Sequence, residues 1–247
     1  MIRKSLSNLV SSKRPAESLD KMGSRPLMMP FISGECDSCG ECAGICPTRA
    51  ISLSDGWTID LGKCIFCMDC IDSCPGSSIA KVPAPLYALI REDLIFSGSK
   101  PPKESEGTVD ADKVKALGSS MAIRELDTGS CNACEVEVNC MSNPYYDMGR
   151  FGIKIVASPR HADMLLVTGP MTNNMSRAAL ETFDATPAPK AVVAMGTCAI
   201  SGGIFAEGDV LGKGIKDTMA VDLFIPGCPP PPERVLLAIL KAFGRGQ

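Results

Sequence analysis

The chain has 247 residues, enough for one large or two modest domains. Hydrophobic residues make up 45% and charged residues 21%, the balance of a packed chain rather than a wholly disordered one. A net charge of −3 excludes a global basic field for nucleic acid, and the longest apolar runs, such as Val235–Leu240, fall far short of the roughly 18 residues of a membrane span. The unusual figure is 13 Cys beside 3 Tyr, 1 Trp and 1 His. A disulfide framework needs secretion, and the N-terminus MIRKSLSNLVSSKRPAESLD shows neither an apolar signal core nor twin arginines. The expected setting is the reducing cytosol, where many cysteines in CxxC spacing point to metal.

In chain order, residues 1–29 carry six Lys/Arg against two Asp/Glu and read as a basic arm, either for a membrane surface or partner or as a frayed tail. Residues 30–82 hold eight regularly spaced cysteines. Residues 83–120 contain SGSKPPKESEGTVDAD (Ser97–Asp112), a linker composition preceded by the short apolar element LYALI. From residue 121 the pattern changes. Strands are expected at Met121–Leu126, Ile153–Ser158, Met164–Gly169, Ala191–Gly196 and Asp222–Gly227. Helices are expected to begin after Cys134, over Asn174–Phe183, and in PPERVLLAILKAFG, where Val235, Leu236, Ile239, Leu240 and Phe243 share one face. Continuous apolar runs separated by helices predict a buried parallel sheet, hence an α/β domain over 121–247.

Residues 36–47 read CDSCGECAGICP and residues 64–75 read CIFCMDCIDSCP. Both are C-x2-C-x2-C-x3-C-P, an internal repeat offset by 28 residues. Three cysteines at x2 intervals can hold three corners of one cubane, and the fourth is carried to the neighbouring cluster. The spacing thus assigns Cys36, Cys39, Cys42 and Cys74 to a first [4Fe–4S] cluster, and Cys64, Cys67, Cys70 and Cys46 to a second. Pro47 and Pro75 turn the chain after each crossing ligand. Structural zinc takes two separated CxxC pairs and has no use for this third and fourth cysteine written twice. The segment resembles the small α+β bacterial two-cluster ferredoxins, which implies one-electron transfer.

Four of the remaining cysteines, Cys131, Cys134, Cys198 and Cys228, fall just past the C-terminal ends of expected strands, the edge at which open α/β sheets bind ligands. Together they would hold a third cubane, with Gly196, Gly202 and Gly203 permitting close approach. The pattern CNACE, GTCAISGG and PGCPP over about residues 120–245 resembles the small subunit of [NiFe] hydrogenases and the homologous subunit carrying the terminal cluster of respiratory complex I. RFGIKIVASPRHADMLLVTG is most like the membrane-bound, energy-converting and formate hydrogenlyase branch. The resemblance implies a flavodoxin-like fold, a third [4Fe–4S] cluster facing a separate large subunit, and further iron–sulfur and membrane subunits as partners. Cys131-x2-Cys134 is the hydrogenase-like spacing, whereas the complex I relative carries two adjacent cysteines there. Ala133 departs from the Gly of many relatives and leaves room for a large subunit without nickel. Carrying the ferredoxin repeat in the same chain is a second departure.

Cys140 is surplus to three cubanes and is expected as a buried thiol. Glu135, beside Cys134, has two roles open to it: passing protons toward the large subunit, or acting as a first-turn acid favoured by the helix dipole. His161 lies in the turn SPRHAD and reads as structural rather than catalytic, and Arg160 beside it has two readings, a partner contact or a solvated turn. GDVLGKG (Gly208–Gly214) is one residue short of a phosphate loop and lacks its hydroxyl residue, and no GxGxxG follows a strand, so no nucleotide is expected. The resulting expectation is an electron-transfer oxidoreductase subunit of a formate hydrogenlyase-like [NiFe] hydrogenase. It carries three [4Fe–4S] clusters and no catalytic residue of its own, and it sits on the cytoplasmic face of the inner membrane through its partners. The alternative is a nickel-free complex-I-like module that reduces quinone.

Overall fold

The computed structural model describes residues 26–98, 102–103, 106–117, 120–206 and 214–245. Most of the basic arm and of GDVLGKG lies outside the described residues. The first unit runs β1 (Met28–Ile32), α1 (Glu41–Ile45), β2 (Ile51–Ser52), β3 (Thr58–Asp60), α2 (Asp69–Asp72), β4 (Ile79–Pro83) and β5 (Ile95–Ser97). Strands β1 and β4 pair antiparallel, Met28 opposite Pro83 and Ile32 opposite Ile79. Met29, at the end of the expected arm, is fully buried in this pair. Strands β2, β3 and β5 form a three-stranded antiparallel sheet.

The sequence repeat is also a backbone repeat. Ser38 and Phe66 have φ of 57° and 59°, Gly40 and Met68 have 88° and 70°, and Arg49 and Ser77 have 50° and 49°. Each pair is offset by 28 residues. Five of these six residues carry a Cβ, so the left-handed turns are held against a local steric cost by what surrounds them. Between the halves, Phe31 packs edge-on against Trp57 with ring centroids 5.7 Å apart.

The stretch expected as a linker carries structure in its first part. Ala84, Leu86, Tyr87, Ala88 and Leu94 are buried, and β5 completes the small sheet through β3. Its polar composition hides this, because a few apolar side chains suffice to anchor an extended segment. Ala88 also exchanges hydrogen bonds with Phe224, Ala88 N donating to Phe224 O at 2.9 Å and Phe224 N to Ala88 O at 2.8 Å. The segment thereby covers the outer edge of a larger, parallel sheet.

The second unit runs α3 (Ala111–Ala116), β6 (Met121–Asp127), α4 (Ala133–Cys140), β7 (Ile153–Ile155), β8 (Met164–Thr168), α5 (Asn173–Ala185), β9 (Ala191–Met195), α6 (Gly196–Ser201), β10 (Leu223–Ile225) and α7 (Pro232–Ala242). Its five strands are all parallel, in the order β7-β6-β8-β9-β10. The α/β architecture expected from the alternating runs is therefore present. Strand side chains alternate between faces, as period two requires. Met164, Leu166, Val193, Leu223 and Ile225 enter one core, where α7 contributes Val235, Leu236, Ile239 and Leu240, with Phe243 just beyond it. Leu165, Val167, Val192, Ala194 and Phe224 enter the other, with Ala199 and Ile200 of α6. That second core is continuous with the interior of the first unit, including Leu61 and Cys64. Arg234 of α7 adds a buried tie across the units, donating to the carbonyls of Ala84 and Pro85. Among the described residues, no helix is long and apolar enough to cross a membrane.

Candidate metal centres

The two cysteine motifs fold as paired turns that exchange their fourth members. Cys36, Cys39 and Cys42 line a shallow hollow with Cys74, and Trp57, Leu53 and Ile79 form its apolar wall. Cys64, Cys67 and Cys70 line a second with Cys46, walled by Ile51, Ile59 and Ile65. Each hollow is lined by one of the quartets that the spacing assigns.

The sulfurs are prepared as acceptors. Ala50 N donates to Cys46 Sγ, and Ser78 N to Cys74 Sγ, both at 3.3 Å. These are the two crossing cysteines, served by amides at the same offset of four residues. Phe66 N donates to Cys64 Sγ at 3.3 Å, an arrangement the left-handed Phe66 permits. An amide aimed at sulfur favours thiolate, the form that binds metal. Burial acts in the opposite direction. It pushes Cys64 and Cys70 up to about 12 and also raises Cys42 and Cys67. In these hollows a thiolate needs cationic metal to balance its desolvation. Four cysteines lining each apolar hollow, with amides directed at some of their sulfurs, fit a cysteine-ligated cluster.

The third quartet is assembled at the C-terminal edge of the parallel sheet. After β6, Asp127 Oδ1 accepts from Gly129 N at 2.8 Å and Ser130 N at 2.7 Å. Ser130 Oγ accepts from Asn132 N at 3.0 Å. This chain of short turns delivers Cys131 and then Cys134 in the first turn of α4, which starts at Ala133 because Asn132 caps it in the left-handed region. Cys198 lies in the first turn of α6, directly after β9, and Cys228 follows β10. The quartet follows β6, β9 and β10 at the C-terminal edge of the sheet, the edge at which open α/β sheets bind ligands.

Close approach is built into the glycines. A Cβ on Gly196, at φ +86°, would stand 2.7 Å from Cys134 Sγ, and one on Gly203, at φ +57°, 3.0 Å from Cys198 Sγ. Burial and then the neighbouring Cys228 and Cys131 push Cys198 up to about 12. Cys134 is raised by burial, then by Glu135 and the other three cysteines. Cys228 is raised by burial and then by Cys131. The four thiols therefore share one electrostatic neighbourhood. Cys131 and Cys228 are exposed and Cys134 and Cys198 half-buried, so the quartet opens toward the surface. Gly202 ends α6 in the left-handed region at φ 87°.

Glu135 sits in the first turn of α4, only 7% exposed, and neither carboxylate oxygen has a hydrogen-bond partner among the described residues. Glu125 stands near it, its carboxyl raised by burial and then by the charges of Glu135 and Asp127. Cys140, expected as a buried thiol, closes α4 half-exposed. His161 and Arg160 lie in a short 3-10 turn and line neither ferredoxin-like hollow.

Sequence reasoning missed the polar seam between the two units. Thr197 Oγ1 lies 2.8 Å from the carbonyl oxygen of Cys64, across 133 residues, and Ser201 Oγ donates to Gly62 O at 2.7 Å. Arg91 pairs with Asp60 at 2.7 Å beside them. Only the GTCAIS helix, with its hydroxyls one turn apart, could have hinted at a polar stripe.

Residues 131–242 match the family described as NADH ubiquinone oxidoreductase, 20 kDa subunit, and residues 35–81 match the 4Fe-4S dicluster domain. A probable membrane-bound hydrogenase subunit of Pyrococcus furiosus is 42% identical over 128 residues, covering 52% of this chain and 77% of its own. Formate hydrogenlyase subunit 7 of Escherichia coli is 40% identical over 141 residues, 57% of this chain and 55% of its own. An NADH-quinone oxidoreductase subunit of Carboxydothermus hydrogenoformans is 35% identical over 149 residues, 54% of this chain and 90% of its own. The chain therefore belongs to the oxidoreductase family of the NADH ubiquinone oxidoreductase 20 kDa subunit, in the company of membrane-bound hydrogenase and formate hydrogenlyase subunits, and carries a 4Fe-4S dicluster domain ahead of it.

Proposed function

We propose that this chain is the iron–sulfur electron-transfer subunit of a membrane-associated, formate hydrogenlyase-like [NiFe] hydrogenase, holding three [4Fe–4S] clusters. Cys36, Cys39, Cys42 and Cys74 hold the first, Cys46, Cys64, Cys67 and Cys70 the second, and Cys131, Cys134, Cys198 and Cys228 the third. When bound, such clusters store and pass single electrons. The observation that carries the reading is the sorting of twelve cysteines into three convergent quartets, one of them at the sheet's binding edge. All-cysteine ligation leaves no iron open to substrate, so chemistry belongs to a large subunit.

The α/β unit is read as flavodoxin-like. Numbered within the unit its strand order is 2-1-3-4-5, the order of that fold. Its outward-opening quartet is flanked in sequence by half-exposed Val136 and Ile204, apolar side chains suited to a subunit contact. The hydrogenase branch is favoured by Cys131-x2-Cys134, and two hydrogenase-type relatives match over 128 and 141 residues. Glu135 is buried beside Cys134 with its oxygens unpartnered among the described residues, which suits a proton carrier at the contact. The subunit attaches to the cytoplasmic face of the membrane through its partners.

The test is the nickel content of the complex purified anaerobically on a tag placed on this chain. About one nickel per complex is the expected result, and H₂ oxidation or evolution is then the activity to assay. An intact complex with iron but no nickel overturns the hydrogenase reading in favour of a complex-I-like quinone reductase.

A further inference from the structure

We propose that Thr197 and Ser201 form a latch that sets the second cysteine quartet against the third. The inference rests on the proposed function, in which both quartets hold clusters, and it makes residues 60–64 the inward face of the ferredoxin-like unit.

Thr197 is 1% exposed and immediately precedes Cys198. Its backbone N donates to Gly227 O at 2.9 Å, just before Cys228. Its hydroxyl lies 2.8 Å from Cys64 O and 3.1 Å from Gly227 O and shares one proton between them. One residue thus joins the segments bearing Cys64, Cys198 and Cys228. Ser201, one turn further along α6, donates to Gly62 O at 2.7 Å and lies 3.2 Å from Thr197 O.

The loop they grip is already folded from the other side. Asp60 Oδ1 accepts from Gly62 N at 2.8 Å, Asp60 O accepts from Cys64 N at 3.0 Å, and Asp60 Oδ2 accepts from Arg91 Nη2 at 2.7 Å. Asp60 therefore consumes the loop's donors and leaves its carbonyls to face α6. The apolar surroundings, with Leu61 fully buried and Ala199 and Ile200 next to α6's hydroxyls, exclude water that would loosen these bonds. Cys36 and Cys39 of the first quartet, by contrast, are exposed.

The shared core and Arg234 hold the two units together, but apolar packing alone leaves the loop of residues 62–64 free to shift along α6. Electron tunnelling falls exponentially with separation, so a mobile seam would leave the rate ill-defined. Two hydroxyls, Thr197 buried and Ser201 half-buried, sit on the helix that bears a ligand of one quartet and bond to the loop that bears a ligand of the other, which removes that freedom. They act as positioning residues: they touch ligand-bearing backbone and hold no iron.

The experiment uses the anaerobically purified complex with Thr197→Val, Thr197→Ser, Ser201→Ala and the Thr197→Val/Ser201→Ala pair. Three quantities are read: iron per chain, hydrogen exchange of the amides of residues 62–66, and spin–spin splitting in the electron paramagnetic resonance spectrum of the reduced clusters. The paired variant is expected to keep its iron and the splitting between the first and second clusters. The splitting between the second and third should change, and its amides at 62–66 should exchange faster. Thr197→Ser should behave as the unmodified protein. Unchanged exchange and splitting in an iron-replete pair overturn the latch, and so does a Thr197→Ser variant as defective as Thr197→Val. If Thr197→Val sheds iron, Ser201→Ala decides, and unchanged exchange at 62–66 in that variant overturns the proposal. An unmodified chain with too little iron for three clusters refutes the underlying reading instead, and the exchange measurement, which needs no cluster signal, still tests the latch.

Discussion

Gly196→Ala isolates the steric requirement of the third quartet. The added Cβ meets Cys134 Sγ at 2.7 Å, and ordinary contact begins at 3.4 Å, so sulfur or backbone must yield by about 0.7 Å. Metal–ligand distances tolerate about 0.2 Å. The backbone conformation at φ +86° adds about 1–2 kcal/mol for any L side chain, and overpacking adds about 1–3 kcal/mol. The expected total is about 2–5 kcal/mol, a large share of the roughly 5–15 kcal/mol that holds a domain folded. Gly40→Ala is the control. Gly40 has nearly the same φ, +88°, and its Cβ would meet nothing within 4 Å. Its repeat mate Met68 carries a side chain at φ 70°, so the fold accommodates one there. Iron analysis with urea denaturation of both variants separates the two effects. Gly196→Ala should lose the iron of the third cluster and lower the midpoint well beyond Gly40→Ala, which should keep all its iron. Equal midpoints with full iron in Gly196→Ala would refute the steric account of this site.

Cys36→Ser and Cys228→Ser should each lose iron and electron transfer, whereas Cys140→Ser, outside every quartet, should keep both, as read by iron analysis and dye reduction. Arg91→Met leaves Asp60 without its cation in a pocket where both side chains are at most 15% exposed; the loss should approach the roughly 3–5 kcal/mol of a broken buried pair in a urea titration. Phe243→Ala removes a side chain 1% exposed at the end of α7 and should cost about 3–5 kcal/mol in the same assay. Glu125→Gln should show a pH signature. The folded carboxyl is raised above its usual 4.5, first by burial and then by Glu135 and Asp127, so the folded state holds its proton more tightly than the unfolded one and loses stability as pH rises above 4.5. The variant should therefore gain stability at pH 7, the gain shrinking toward acid pH; a pH-independent difference in urea midpoints would contradict this.

The first two quartets were legible because their geometry is local: x2 and x3 spacings on tight turns, written twice, determine which sulfurs face which hollow. The third was legible at one remove, since Cys131, Cys198 and Cys228 follow strands whose apolar runs are plain, and parallel strands bring their C-terminal ends together. β6, β8, β9 and α7 match the expected runs within a residue or two. Residues 84–98 were hidden because a polar, proline-bearing stretch looks like a linker even when Leu94 is fully buried and Ala88 closes a sheet edge. The start of α4 at Ala133 depended on a left-handed Asn132, which apolar periodicity does not report. Thr197 and Ser201 were invisible as a pair with Cys64 and Gly62 because hydroxyls make no pattern across so long a stretch of chain.

Iron and acid-labile sulfide per chain, measured on anaerobically purified protein, test the central claim most directly. Three cysteine quartets predict about twelve of each, four per cluster. A value of about eight, in protein whose Cys228→Ser variant holds no less, would mean that the third quartet carries no cluster and would contradict the account.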